Sequence, residues 1–90
     1  MEILKVSTNT KVNSLAGAIA GYVREEGQAE MQAIGAGSVN VAMKATAVAR
    51  GFLAPAGIDL VCTPSFAAVT VDEEERTAIR ITVTDRHGVR

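Results

Sequence analysis

Cys62 and His87 are each the single residue of their kind in this 90-residue chain. One of each falls short of the roughly four N/S ligands that a structural zinc site needs. His87 lies in Asp85-Arg86-His87-Gly88, a segment that reads as flexible and without chemistry. Cys62 sits inside a strand pattern with no neighbour to lower its pKa, so it reads as a small hydrophobe. Glu73-Glu74-Glu75 has no identifiable acid–base or metal partner and reads as a solvated turn. No nucleophile elbow, phosphate loop or metal spacing occurs. The expectation is a protein that is not an enzyme, with no catalytic residue, no metal and no cofactor.

Binding chemistry is better represented. Lys11 stands in the loop before a first helix, where a cation beside unpaired helix N–H groups can meet a phosphate. Gly35-Ala36-Gly37-Ser38 is a tight strand-to-helix turn whose residues Gly35, Gly37 and Ser38 offer an anion contact. It lacks the third glycine of a dinucleotide fingerprint, having Asn40 there, and thermal shift with phosphate compounds tests it. Lys44 and Arg50 lie on the polar part of a second helix, but about 240° apart around it, so they form no single stripe.

These residues need elements to hold them. Ile3–Ser7 reads as a strand, with Asn13 or Ser14 capping a helix over 14–26 whose stripe is Leu15, Ile19, Tyr22 and Val23. Gly27 closes that helix in the left-handed region. Gly17 and Gly21 inside it imply close packing, either on the chain's own sheet and second helix or on another subunit. A second strand follows over 29–34. The second helix, 38–53, is stopped by Pro55, with Val41, Ala45, Val48 and Phe52 as its buried stripe. Ile58–Cys62 and Phe66–Val71 read as strand interrupted by Pro64, which points to an edge or a bulge. Asp72–Glu75 forms the hairpin loop, Arg76–Thr84 the last strand, and 85–90 a frayed end. The order β-α-β-α-β-β predicts an α/β chain of the α+β two-layer sandwich type, two helices on one face of a four-stranded mixed sheet. One domain over 1–85 with a flexible tail at 86–90 is expected.

Composition narrows the class. Hydrophobic residues make up 48%, but fifteen of them are alanine and three are aromatic, which predicts a shallow core with Phe52 and Phe66 in it. Mean hydropathy of +0.20 excludes a disordered chain, and no apolar run is long enough to cross a bilayer. The net charge is −1 and the pI about 5.7, far from the pI above about 9 of a dedicated duplex binder. Any nucleic-acid contact must rest on a local patch. The lone cysteine and the absence of a basic leader point to the cytoplasm, with no membrane contact.

Several blocks are more specific. Met1-Glu2-Ile3-Leu4-Lys5-Val6-Ser7, Asn13-Ser14-Leu15-Ala16-Gly17-Ala18-Ile19-Ala20-Gly21, Gln32-Ala33-Ile34-Gly35-Ala36-Gly37, Lys44-Ala45-Thr46-Ala47-Val48-Ala49-Arg50-Gly51-Phe52 and Glu74-Glu75-Arg76-Thr77-Ala78-Ile79 closely resemble the bacterial stage V sporulation protein S family. That resemblance implies an Alba-like fold, a role in sporulation or development, a homodimer or higher homo-oligomer, and DNA or RNA as partner. Together with the reading of the two helices, it gives an expected nucleic-acid-binding set of Lys11, Asn13, Ser14, Lys44 and Arg50, of which Lys11 is the residue the resemblance itself matches. Alba proteins carry basic residues in the loop before the first helix, at the turn before the second, and on the hairpin arms. Lys11 matches the first place. The turn at Gly35–Ser38 has no arginine, and Asp72–Glu75 makes the hairpin acidic and short. The expectation is weak, salt-sensitive binding with little base stacking. The competing expectation is an assembly or adaptor factor that binds protein and no nucleic acid.

Overall fold

A parallel strand pair cannot be joined by a tight turn, and the first half of the chain is built around that constraint. In the computed structural model, which describes residues 2–88, β1 (Ile3–Val6) runs parallel to β2 (Gln28–Ala33), with α1 (Val12–Glu26) as the crossover. A second crossover, α2 (Ala36–Leu53) extended by a 3-10 turn at Ala54–Ala56, leads to β3 (Leu60–Val71), which folds back as β4 (Glu74–Asp85). β4 pairs antiparallel with both β2 and β3, giving the sheet order β1-β2-β4-β3. This is the two-layer β-α-β-α-β-β sandwich expected from the sequence. Val89 and Arg90, the end of the expected tail, lie outside the described residues.

The core is thin because alanine builds much of it. Ala16, Ala20, Ala29, Ala33, Ala42, Ala45 and Ala49 are all buried alongside the larger Ile19, Met31, Leu53, Leu60, Ile81 and Val83. Small side chains let the helices approach the sheet closely, so each larger residue is enclosed despite the small size of the domain.

Several boundaries and faces differ from expectation. Both helices start two residues earlier than predicted, because neither uses a side-chain cap. Lys11, not Asn13 or Ser14, is the N-cap of α1. Gly35 is the N-cap of α2, at φ 88° and ψ 155°. The buried stripe of α2 is Ser38, Ala42, Ala45, Thr46, Ala49 and Leu53, so Val41 and Val48 are only partly buried and Phe52 is 46% exposed. Phe66, also expected inside, is 81% exposed. A Cβ built on Gly17 or Gly21 meets nothing within 4 Å, so neither glycine makes the close intrachain contact that was one of its two readings. Gly27 does end α1 in the left-handed region, at φ 83°.

Strand β3 continues through Pro64 with no bulge, one residue opposite one all along β4. Pro64 is tolerated because β3 is an edge strand and the missing N–H faces away from β4. The loop is shorter than Asp72–Glu75: only Asp72 and Glu73 form the turn, both with positive φ (51° and 67°), as a two-residue type I′ hairpin requires. Glu74 and Glu75 already belong to β4. The turn is tight, but the hairpin is long, and this overturns the expectation of a short one.

The chain end is anchored rather than frayed at Asp85. That residue is buried, and its carboxylate accepts from the Asp59 N–H at 3.1 Å and the His87 N–H at 3.2 Å. Asp59 in turn ties α2 to the residue that follows β4: Arg86 Nε donates to its Oδ2 at 2.8 Å, and Arg50 Nη1 lies 2.9 Å from its Oδ1. The Arg86 hydrogen bond, and behind it the Arg50 charge, hold the Asp59 carboxyl below its ordinary value of 3.8 against a smaller opposing effect of partial desolvation. A carboxyl lowered in the folded state adds stability that is complete above pH 3.8 and is lost as pH falls through the lowered value. Wild-type urea midpoints should therefore fall more steeply below pH 3.8 than those of Asp59→Asn. Parallel pH profiles for the two proteins would remove the clamp from the account of stability.

Candidate nucleic-acid interface

Strands β1 and β2 are parallel neighbours, so their carboxyl ends lie side by side and both helices begin at that end of the sheet. The two connections touch there. A Cβ on Gly37, in the first turn of α2, would lie 2.7 Å from Thr8 Cγ2 in the β1–α1 loop. Any side chain at position 37 would press on that methyl group, so Thr8 would have to shift to keep this approach. The loop is held in shape by its own hydroxyls: Ser7 N–H donates to Thr10 Oγ1 at 2.9 Å, Asn9 N–H to Ser7 Oγ at 3.2 Å, and Thr10 N–H to the Ser7 carbonyl at 3.1 Å. Those hydroxyls are thereby engaged within the loop itself, ahead of Lys11 at the helix start.

Lys11, Asn13 and Ser14 are exposed around the first turn of α1, and Gly35, Ala36 and Gly37 are exposed at the start of α2. Neither helix carries an acidic residue in its first turn, and neither has a side-chain cap. The leading N–H groups thus meet no internal carboxylate, and the dipole ends of both helices favour an anion. Ser38 is buried, so of Gly35, Gly37 and Ser38 it offers the surface least.

The remaining predicted residues do not join the group. Lys44 is exposed but lies about 9 Å farther along α2 than Ser38, and Arg50 about 18 Å farther, at 1.5 Å per residue. Arg50 is also engaged: besides Asp59, its Nη1 donates to the Leu60 carbonyl at 2.6 Å. Among the described residues no ion pair holds Lys11 or Lys44. Sequence reasoning missed Thr8, whose methyl group lies against Gly37 where the two connections meet, and it missed the exposure of Phe66. Pro64 carried a signal for the latter: a proline inside a β pattern marks an edge, where an aromatic has fewer neighbours to cover it.

The opposite end of the protein has the opposite character. A groove there is lined by Val23, Arg24, Glu25, Glu26, Gly27, Ile58, Asp85 and Gly88. It collects carboxylates and the carbonyl end of α1, which suits no phosphate. Among the described residues no cluster of His, Cys, Asp or Glu could hold a metal ion, and no helix is long and apolar enough to cross a membrane.

The fold and the whole-chain sequence can be set beside known proteins. The structure is similar to that of Alba from Thermoplasma volcanium, with a TM-score of 0.62 over 92% of this chain and 99% of that chain, at 13% sequence identity. At that identity the likeness speaks for the fold alone. Residues 2–86 match the family model for Stage V sporulation protein S. That span takes in both helix starts, the touching connections and the whole β3–β4 hairpin, so by nearly its full length the chain belongs to the stage V sporulation protein S family, a sporulation-related regulatory family.

Proposed function

We propose that this protein is a non-enzymatic regulator of sporulation or related development, cytoplasmic, which self-associates and binds DNA or RNA weakly through its helix-start surface. The observation that supports this most directly is the pair of acid-free helix N-termini brought together by the Thr8–Gly37 contact, with Lys11 exposed beside them. Lys11 supplies the charge, Asn13 and Ser14 supply hydrogen bonds to phosphate oxygens, and the N–H groups at Gly35 and Gly37 face the same anion. Lys44 adds a more distant contact, and Arg50 contributes only if it leaves Asp59. A dimer then offers about four cationic contacts, and binding should weaken with salt at a slope of about −0.9 per contact on duplex DNA. Base specificity is low in this reading, because the groups involved address the phosphate backbone.

Fluorescence anisotropy with labelled DNA and RNA across a salt series is the test. Lys11→Ala should lower affinity for every sequence alike and reduce the salt slope by about 1 per protomer. Absence of binding at about 50 mM salt, or an unchanged slope in Lys11→Ala, would sink the reading. The second reading, a protein-binding assembly factor, draws support from the exposed hairpin: Phe66 and Val71 are exposed on it and its tip is acidic. Capture of a protein partner from nuclease-treated lysate by a form that binds no nucleic acid would favour it.

A further inference from the structure

Among the described residues no strand pairs with the outer edge of β3, and three observations fix which of its groups face outward. The Leu60 carbonyl points off the sheet to Arg50. Pro64, which has no N–H, sits in an unbroken ladder. Asp72-Glu73 forms a two-residue turn, which makes Val71 and Glu74 a hydrogen-bonded pair. All three place the even-numbered residues of β3 with N–H and C=O directed away from β4. The inner half of that edge is guarded by Arg50 and by Pro64. The outer half offers Phe66, Ala68 and Thr70, within the uncharged run Ser65–Val71.

We propose that Ser65–Val71 is a self-pairing edge: it joins the same segment of a second copy, antiparallel, about a two-fold axis at Ala68. This takes up the self-association in the reading above and assigns it a surface. In that register Phe66 exchanges hydrogen bonds with Thr70 of the second copy, and Ala68 with Ala68. Ala67 stands opposite Val69. The pairing ends where the chain dictates, since Pro64 falls opposite Asp72, where the other strand has already turned. Charge selects the direction. Parallel pairing would stack Asp72–Glu75 of the two copies together, whereas antiparallel pairing puts these acidic tips at opposite ends. The arm also needs a partner on physical grounds. Residues 70–77 are exposed throughout, and a lone two-stranded ribbon is marginal, while four strands are not.

Ala68→Pro is the direct test, because proline at an outward position removes an edge donor and leaves the β4 ladder intact, as Pro64 already does. Sedimentation equilibrium should show a dimer for wild type and a dissociation constant raised at least about tenfold for Ala68→Pro, with unchanged far-UV circular dichroism. A cross-link test covers the case in which that variant misfolds. In a Cys62→Ser background, Ala68→Cys should oxidise to a covalent dimer, since the paired Cα atoms would lie about 5.5 Å apart. Thr63→Cys should not, because this register holds the two copies of residue 63 about 33 Å apart. A wild type that is monomeric at about 0.1 mM overturns the pairing together with self-association. A dimer that survives Ala68→Pro, with Ala68→Cys cross-linking no faster than Thr63→Cys, overturns the pairing alone.

Discussion

Truncating Leu53 to alanine is expected to cost about 2–5 kcal/mol, while Phe52→Ala, one position earlier, costs about 1 kcal/mol or less. Leu53 is fully enclosed at the end of α2, in the core that also holds Leu60 and Val83. In a core this rich in alanine there are few flexible side chains to collapse into the space it leaves. Phe52 is 46% exposed, so removing its ring returns little apolar area to water. Equilibrium urea unfolding of the two variants, at equal m-values, measures the difference. Because total stability for a domain is typically about 5–15 kcal/mol, the Leu53 variant should be visibly close to unfolding. Equal losses at the two positions would mean that α2 is rotated from the orientation described.

The second large effect belongs to Gly35. Its φ of 88° and ψ of 155° fall in a region that side-chain-bearing residues essentially do not occupy, at a cost of about 1–3 kcal/mol. Gly35→Val should lose at least that much. It should also lose nucleic-acid binding beyond the Lys11→Ala level, since the chain cannot turn from β2 into α2 at the same point and the leading N–H groups move. Gly37→Ala tests the neighbouring contact by a different route. The new methyl meets Thr8 Cγ2, so pairing it with Thr8→Ala should restore binding and stability together, a coupling that a double-mutant cycle reads directly. Gly35→Val has no such rescue. A Gly35→Val protein that unfolds and binds like wild type would refute both the turn geometry and the role of the helix start.

The number and order of elements were legible in the sequence because strand-forming runs, turn residues and one clean helical stripe in α1 agree with one another. The face of α2 was not. Its apolar residues go nearly all the way round, and the larger ones, Val41, Val48 and Phe52, suggested a stripe that in fact flanks the buried one. Alanines at 42, 45 and 49 do the packing, and alanine is too common here to mark a face. The helix starts were misplaced because Asn13 and Ser14 look like caps, whereas backbone geometry at Lys11 and Gly35 serves instead. Of the candidate site, Lys11 was legible from its place before a helix, and the Gly35 turn from its composition. The engagement of Arg50 by Asp59 was not, since it depends on how the chain reverses after Pro55. The long hairpin was hidden by reading Pro64 as a break, although at a free edge a proline interrupts nothing.

Because both helices start at one end of the sheet and finish near the other, their peptide dipoles point the same way. Each contributes roughly half a positive charge where Lys11 stands and half a negative one toward the end occupied by Glu25 and Glu26. A chain whose side-chain charges nearly cancel is then electrically lopsided along its own axis. Near a polyelectrolyte it experiences a torque before it experiences much net pull, so the encounter begins with an alignment that a count of lysines and glutamates would never suggest.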